Sequence, residues 1–152
     1  MALTRPQIRS RIGAVLEALS TGSYNLGLSS GFTKAINPFA PEDMPDRSRH
    51  LAYGVVVTSS PADEASRLPV GGEFDSVSSV EVVFCFVLRP FSRDADLNLG
   101  YAAAVAILDG VADEAWAIEE ARIVPTNAGE VERLDGDIAV KMTISFDIYH
   151  AF

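Results

Sequence analysis

The C-terminal segment alternates between apolar and polar side chains more regularly than any other part of the chain. Its apolar positions recur at every second residue, namely Ile138, Val140, Met142, Ile144, Phe146 and Ile148. Successive side chains of a β-strand point to opposite faces of the sheet, so the pattern predicts a strand over 138–148 with one buried face. This strand is longer than the average of about 5 to 6 residues. The chain must therefore build a sheet.

Five further segments complete the predicted elements. Residues 51–60 and 77–91 predict two more strands, and one face of the second is wholly apolar. The pattern over 116–124 predicts a third further strand, although residues 119–122 would also tolerate a helix. Apolar residues at helical spacing predict helices over 8–19 and 92–110. Strand runs interrupted by a helix predict an α+β domain: a mostly antiparallel sheet of about four strands with two helices packed on one face.

Residues 23–49, which we name the arm, separate the first helix from the first strand without any sustained period. Three prolines lie in the arm, with many Gly, Ser and Asn residues. Phe32, Ile36, Phe39 and Met44 make it too apolar for a simple linker. Connections of this length are uncommon in compact domains and are usually functional or disordered. We interpret the arm as an extended segment that packs against something, with a neighbouring subunit as one option, inside a single domain covering 1–152.

The composition narrows the class of protein. Twelve basic against twenty-one acidic side chains give a formal net charge of −9, which opposes binding to a phosphate backbone. One cysteine excludes an intramolecular disulfide and a multi-cysteine metal site. No apolar run reaches the roughly 18 residues of a membrane helix, and no secretory signal is visible. These features predict a soluble domain that is made in the cytoplasm and binds no membrane.

No sequence motif specifies a chemistry. Residues 27–31 match G-x-S-x-G, but a nucleophile elbow needs a buried strand before it and a helix after it. His50, His150 and Cys85 lack the spacing of metal ligands, and a buried thiol explains Cys85. Helix capping and turns explain the paired carboxylates, which are Asp94 with Asp96 and Asp135 with Asp137. We predict a protein that is not an enzyme and has no catalytic residue, cofactor or metal site.

Arginines and aromatic residues supply the candidates for a functional surface, because both types are enriched at protein interfaces. Three arginines lie in the N-terminal half of the first helix, where the helix dipole disfavours basic side chains. Solvated surface arginines are the alternative interpretation, and packing on the sheet is the alternative for the C-terminal aromatics. The interface candidates are Arg5, Arg9, Arg11, Phe32, Phe39, Trp116, Tyr149 and Phe152.

Three features give the chain a family resemblance. An amphipathic helix over 8–19 comes first, a long strand then runs straight into a helix through 88–92, and a strand–turn–strand ends with 140–149. In this arrangement, which covers most of the chain, the protein resembles the phage tail terminators, minor tail proteins similar to the lambda U protein. The resemblance implies a structural virion protein that forms a homo-oligomeric ring, typically a hexamer. Such a ring stops polymerisation of the tail tube and presents the surface for head–tail joining.

The resemblance also implies partners and a location. The partners are further copies of the chain, the tail-tube protein and a head–tail connector or neck protein, in a virion tail assembled in the host cytoplasm. DNA passes through the ring without specific binding, and a negative charge suits that channel because like charges repel. Two rival interpretations stay open. One is another tail or neck component, such as a connector or tube-like subunit, and the other is a small ligand-binding or enzymatic α+β domain.

Overall fold

The computed structural model describes residues 5–19, 32–45, 49–61, 76–113, 122–134 and 138–150. These ranges contain two α-helices, one short 3-10 helix and five strands. In chain order they are α1 (Arg5–Ala18), β1 (Thr33–Lys34), the 3-10 helix (Pro41–Asp43), β2 (Ala52–Pro61), β3 (Ser76–Val87), α2 (Arg93–Asp113), β4 (Arg122–Leu134) and β5 (Ala139–His150). The predicted order of helix, arm, two strands, helix and two strands is confirmed, except that the arm contains β1 and the 3-10 helix.

The five described strands form one sheet in the order β1-β2-β3-β5-β4. The pairs β2–β3, β3–β5 and β5–β4 are antiparallel, whereas β1 runs parallel to β2. The α+β class and the mostly antiparallel sheet are therefore confirmed. The prediction of about four strands was too low because it omitted β1, and a strand of two residues is too short to show a period in a sequence.

One face of the sheet carries the core. Tyr53, Phe84 and Met142 are neighbours across β2, β3 and β5, and all three are buried. Both helices pack on this face, as predicted, because their apolar residues recur every three or four positions and so lie on one side of each helix. The helical contribution to the core consists of Ile8, Ile12, Leu16, Leu19, Ala103, Ala104, Ala106, Ile107 and Val111.

Helix α2 is longer than predicted. The sequence indicated an end at Gly110, but the helix continues to Asp113. A Cβ atom at Gly110 would lie 2.7 Å from Cγ1 of Val15 in α1. The glycine therefore serves close packing of the two helices and does not end α2. Within the described ranges, no helix is both long and apolar enough to cross a membrane.

Two strand predictions were wrong at their boundaries. β3 ends at Val87 and not at residue 91, because the Ser92 N–H donates to the Arg89 carbonyl in a turn around Pro90. Proline has no N–H to continue a strand ladder. The segment assigned to 116–124 overlaps only the start of β4, and 116–121 lie outside the described residues. The register of β4 shifts twice between Pro125 and Glu130, which breaks the alternation that identifies a strand.

The described part of the arm, residues 32–45, wraps around the β2 edge of its own sheet. Thr33 and Lys34 pair with β2 as strand β1. The chain then crosses to the face opposite the helices, where Pro38 lies against Gly54. Further along, Glu42 forms an ion pair with Lys141, at 3.5 Å between Oε1 and Nζ. This part of the arm therefore packs within the subunit, and residues 23–31 and 46–48 lie outside the described ranges.

Candidate functional site

A groove lies between the exposed side of α1 and the edge of β2. Its volume is about 540 Å³. Three separate segments of the chain line it: α1 from Pro6 to Glu17, the arm from Lys34 to Pro38, and β2 from Tyr53 to Val55. The parallel pairing of β1 with β2 brings these segments together, because it holds the arm beside α1.

The floor of the groove is held by a hydrogen bond between β2 and α1. The Tyr53 hydroxyl donates to Oε1 of Glu17 over 2.9 Å. Burial raises the pKa of Tyr53, and the hydrogen bond and charge of the Glu17 carboxylate raise it further. The phenol therefore stays protonated and keeps its role as a donor. Gly13 admits it, since a Cβ there would lie 3.1 Å from the hydroxyl oxygen.

The outer edge of β2 is only partly paired with another strand in the described part of the chain. Among the described residues, β1 pairs with β2 at Ala52 and Tyr53 alone. The Tyr53 carbonyl accepts the Ala35 N–H on this side, at 2.8 Å. Backbone groups of every second residue in a strand point the same way, so the N–H and C=O groups of Val55 and Val57 also point to this edge. Both residues are nevertheless buried, at 3% and 5% exposed, and the groove reaches β2 only from Tyr53 to Val55.

The charge around the groove is opposite to that of the chain as a whole. Residues 1–40 contain four basic side chains and one carboxylate, a formal charge of +3, and the chain total of −9 leaves −12 on residues 41–152. Two of the four cations, Arg9 and Lys34, are exposed and line the groove. With the Glu17 carboxylate, which also lines the groove, the formal charge of the lining is +1 on an acidic protein.

The three predicted arginines lie on different parts of α1. Arg5 and Arg9 are exposed, whereas Arg11 is half-buried. Of the three, only Arg9 lines the groove. The sequence therefore identified one cation of the groove, and it missed Lys34, whose neighbourhood is set by the pairing of β1.

The predicted aromatic residues are scattered. Phe32 is 5% exposed and lies in the core of its own subunit, so its prediction as an interface residue was wrong. It packs edge-on against Phe84. Phe39 is 68% exposed on the arm, and Tyr149 is half-buried on the sheet face opposite the helices. Trp116 and Phe152 lie outside the described residues.

The face of the sheet opposite the helices is polar and acidic near its centre. Ser79 Oγ donates to Oδ1 of Asp147 over 2.9 Å. Glu81 and Ser145 join them around a shallow depression of about 240 Å³, whose described lining contains no basic residue. In the described ranges no group of three or more His, Cys, Asp or Glu side chains is placed to hold a metal ion.

A second polar cluster connects β3 to α2. Asp96 is 5% exposed and accepts the Arg89 backbone N–H at 2.7 Å and its Nη2 at 2.8 Å. The Arg89 side chain is the main cause of the lowered pKa of Asp96. Nearby, Nδ1 of His50 accepts the Val87 N–H at 3.0 Å, and burial lowers the pKa of His50 although the charge of Asp96 opposes this. These contacts fix the turn that the resemblance singled out.

The His50 contact predicts a pH dependence of stability. The folded-state pKa of His50 lies below the ordinary value of 6.5, so its contribution is complete above pH 6.5 and is lost as pH falls toward the folded-state pKa. Urea unfolding at pH 7.5 and 5.5 should show this loss, at less than about 1 kcal/mol because the ring is half-buried. In His50→Asn, whose amide oxygen can accept the same N–H, the loss should shrink. An unchanged pH dependence would contradict the assignment.

The comparisons with known proteins do not assign the chain to a family. No family model matches the chain, and no curated protein matches it. The fold and the site together define an α+β domain with a groove between α1 and the edge strands of its sheet.

Proposed function

We propose that this chain is a ring-forming structural subunit of a phage tail and, more specifically, a tail terminator. In this role the ring stops tail-tube polymerisation and presents the surface for head–tail joining. The observation that carries the proposal is the order of the described elements, with α1 first, β3 leading into α2 and the β4–β5 pair last. Repeated head-to-tail use of one surface of such a subunit closes a ring.

The arrangement of elements supports the proposal. Helix α1 opens the described chain, β3 leads directly into α2 through residues 88–92, and the β4–β5 pair ends it. These are the three features on which the resemblance to tail terminators depends. The junction at 88–92 is also strongly held, because the buried Asp96 carboxylate binds both the backbone and the guanidinium of Arg89.

The distribution of charge supports a channel for DNA. The sheet face opposite the helices presents Glu81 and Asp147 among hydroxyl groups. An acidic face of this kind suits the lumen of a ring, because DNA passes along it without sticking. The basic side of α1 then faces acidic partners, which are the next subunit, the tail tube or the neck.

The solution mass of the purified protein tests the proposal. Light scattering over a range of concentration and salt should find a discrete mass near six subunits, or a monomer that becomes a ring on meeting tail tubes. Electron microscopy of growing tubes should show that the protein caps them and stops elongation. Rings that leave tube growth unchanged would favour another tail or neck component. A monomer or dimer that ignores tubes under all conditions would contradict the proposal.

Reversing the charge of the three arginines of α1 distinguishes an effect on assembly from an effect on folding. Replacing Arg5, Arg9 and Arg11 together by glutamate should weaken joining to the tube, neck or next subunit. The subunit itself should stay folded, because two of the three side chains are exposed and exposed charges contribute little to stability. Sedimentation of the protein with tail tubes measures joining, and circular dichroism measures folding. If the triple variant assembled as strongly as the wild type, the basic side of α1 would have no role in joining.

A further inference from the structure

We propose that one exposed flank of α2 is a contact surface between two copies of this chain, whose α2 helices pack antiparallel about a two-fold axis near Tyr101. We name this surface the α2 ridge, and it consists of Arg93, Leu97, Tyr101, Val105 and Asp109. The inference goes beyond the proposed function, because a two-fold contact joins copies in pairs and does not itself close a ring. Where the copies already belong to rings, the contact joins one ring to another.

The α2 ridge is a continuous row on the surface of the helix. Its members are four positions apart, and residues at this spacing are neighbours on one face of an α-helix. At the centre, Tyr101 is 43% exposed and Val105 is 54% exposed, whereas Leu97 is half-buried. A different face of α2, with Ala103 and Ile107, packs in the core. The ridge is therefore a second apolar row that the subunit itself leaves accessible.

The ridge is complementary to its own reverse. From the N-terminus it is basic, apolar, aromatic, apolar and acidic, with Tyr101 at its midpoint. A second α2 that runs in the opposite direction therefore places its Val105 beside Leu97 and its Asp109 beside Arg93. Rows of this spacing on two helices lie side by side at a crossing angle of about −50°, the commonest class of helix packing. This complementarity identifies the occupant as a second copy.

The two charges of the ridge are placed against the dipole of their own helix. Acidic side chains are stabilising at the N-terminus of a helix and basic ones at its C-terminus. Arg93 is instead the first residue of α2, and Asp109 lies near its end at Asp113. Neither charge forms an ion pair with another residue in the described ranges. In the antiparallel pair, each charge lies beside an opposite charge and near the end of the other helix that favours it.

The size of the contact sets its expected strength. One helix from each copy forms an interface at the small end of the range, below about 1,200 Å² in total, where association is weak and reversible. The mass should therefore rise with concentration. Sedimentation equilibrium over micromolar to millimolar concentrations should show a species that doubles, from one subunit to two or from one ring to two.

A matched pair of aspartate variants tests the apolar centre. Val105→Asp places a charge in the ridge, whereas Ala102→Asp places the same charge at an exposed position of α2 outside it. Val105→Asp should weaken association at least about tenfold, because its carboxylate loses water in the contact, and Ala102→Asp should associate as the wild type does. Circular dichroism should show the same helix content in both. Equal association of the two variants would overturn the inference.

A charge swap tests the antiparallel direction. Arg93→Asp and Asp109→Arg should each weaken association, because each variant alone places like charges together. The double variant restores an opposite charge at both ends and should associate as the wild type does. It also agrees with the helix dipole, so its melting temperature should be no lower than that of the wild type. A double variant that associates no better than the single variants would exclude this arrangement.

The wild-type protein separates this inference from the proposed function. If it stays a single subunit or a single ring at millimolar concentration, the α2 contact is refuted and the proposed function stands. If it pairs through α2 but ignores tail tubes under all conditions, the proposed function is refuted and the α2 contact stands. Light scattering with and without tubes, on the wild type and on Val105→Asp, distinguishes these two results.

Discussion

Replacing Phe32 by alanine is expected to lower the free energy of unfolding of the isolated subunit by about 3 to 5 kcal/mol. Phe32 is 5% exposed, and its ring centroid lies 5.5 Å from that of Phe84 and 6.4 Å from that of Tyr53, both edge-on. Edge-to-face contacts of this kind add to the effect of burial alone. The substitution leaves a cavity in the core beside Phe84 and Tyr53, and urea unfolding of the monomer measures its cost.

Phe39→Ala is the matched control, because Phe39 is on the same arm and 68% exposed. We expect its free energy of unfolding to stay within about 0.5 kcal/mol of the wild-type value. The pair separates the two roles that an aromatic residue of the arm can have. If Phe32→Ala were as stable as the wild type, Phe32 would not belong to the core, and its role as an interface residue would return.

The elements that the sequence predicted well are those whose pattern reflects burial on one face. The strand predicted over 138–148 is β5, from Ala139 to His150, and the helix predicted over 8–19 is α1, from Arg5 to Ala18. In both, the period of apolar residues matches the geometry of the element. The same logic placed both helices on one face of the sheet, because each has a single apolar side.

The elements that it predicted poorly depend on contacts between distant residues. Glycine is common where a helix ends, which is why the sequence indicated an end of α2 at Gly110. Its role is instead set by its contact with Val15 of the other helix. β4 lost its alternation to two register shifts. Phe32 and Phe39 are alike in sequence, seven positions apart on one arm, and only the fold separates the buried ring from the exposed one.

The groove could not be predicted for the same reason. Arg9 was identified from its unfavourable place in a helix, but nothing in the sequence connects it to Lys34 or Val55. These three residues meet because a strand of two residues pairs parallel to β2, and that pairing leaves no periodic signal. The groove is therefore a product of the way the arm folds back on its own sheet.

The contact that holds this arm in place gives the second large prediction. A Cβ atom at Gly54 would lie 2.0 Å from the Pro38 carbonyl oxygen and 2.5 Å from its Cα. Both are backbone atoms, so the arm must move as a whole to admit a methyl group. Gly54→Ala is expected to destabilise the subunit by about 2 to 3 kcal/mol, although a glycine inside a strand is normally improved by alanine.

The same variant should release the arm. Once Pro38 is displaced, the ion pair of Glu42 with Lys141 is lost, together with the wall of the groove that Ile36 and Pro38 form. Trypsin should then cut faster after Lys34, which lies within the arm.

Gly100→Ala provides the control for this prediction because its obstacle is of a different kind. A Cβ atom at Gly100 would lie 2.7 Å from Cε of Met142, which is the flexible end of a side chain and can turn aside. Alanine also favours the helical backbone by about 0.8 to 1 kcal/mol relative to glycine. The net change at Gly100 should therefore stay within about 1 kcal/mol. If the Gly54→Ala protein were as stable and as resistant to trypsin as the Gly100→Ala protein, Pro38 would not press on β2. The groove would then need another wall.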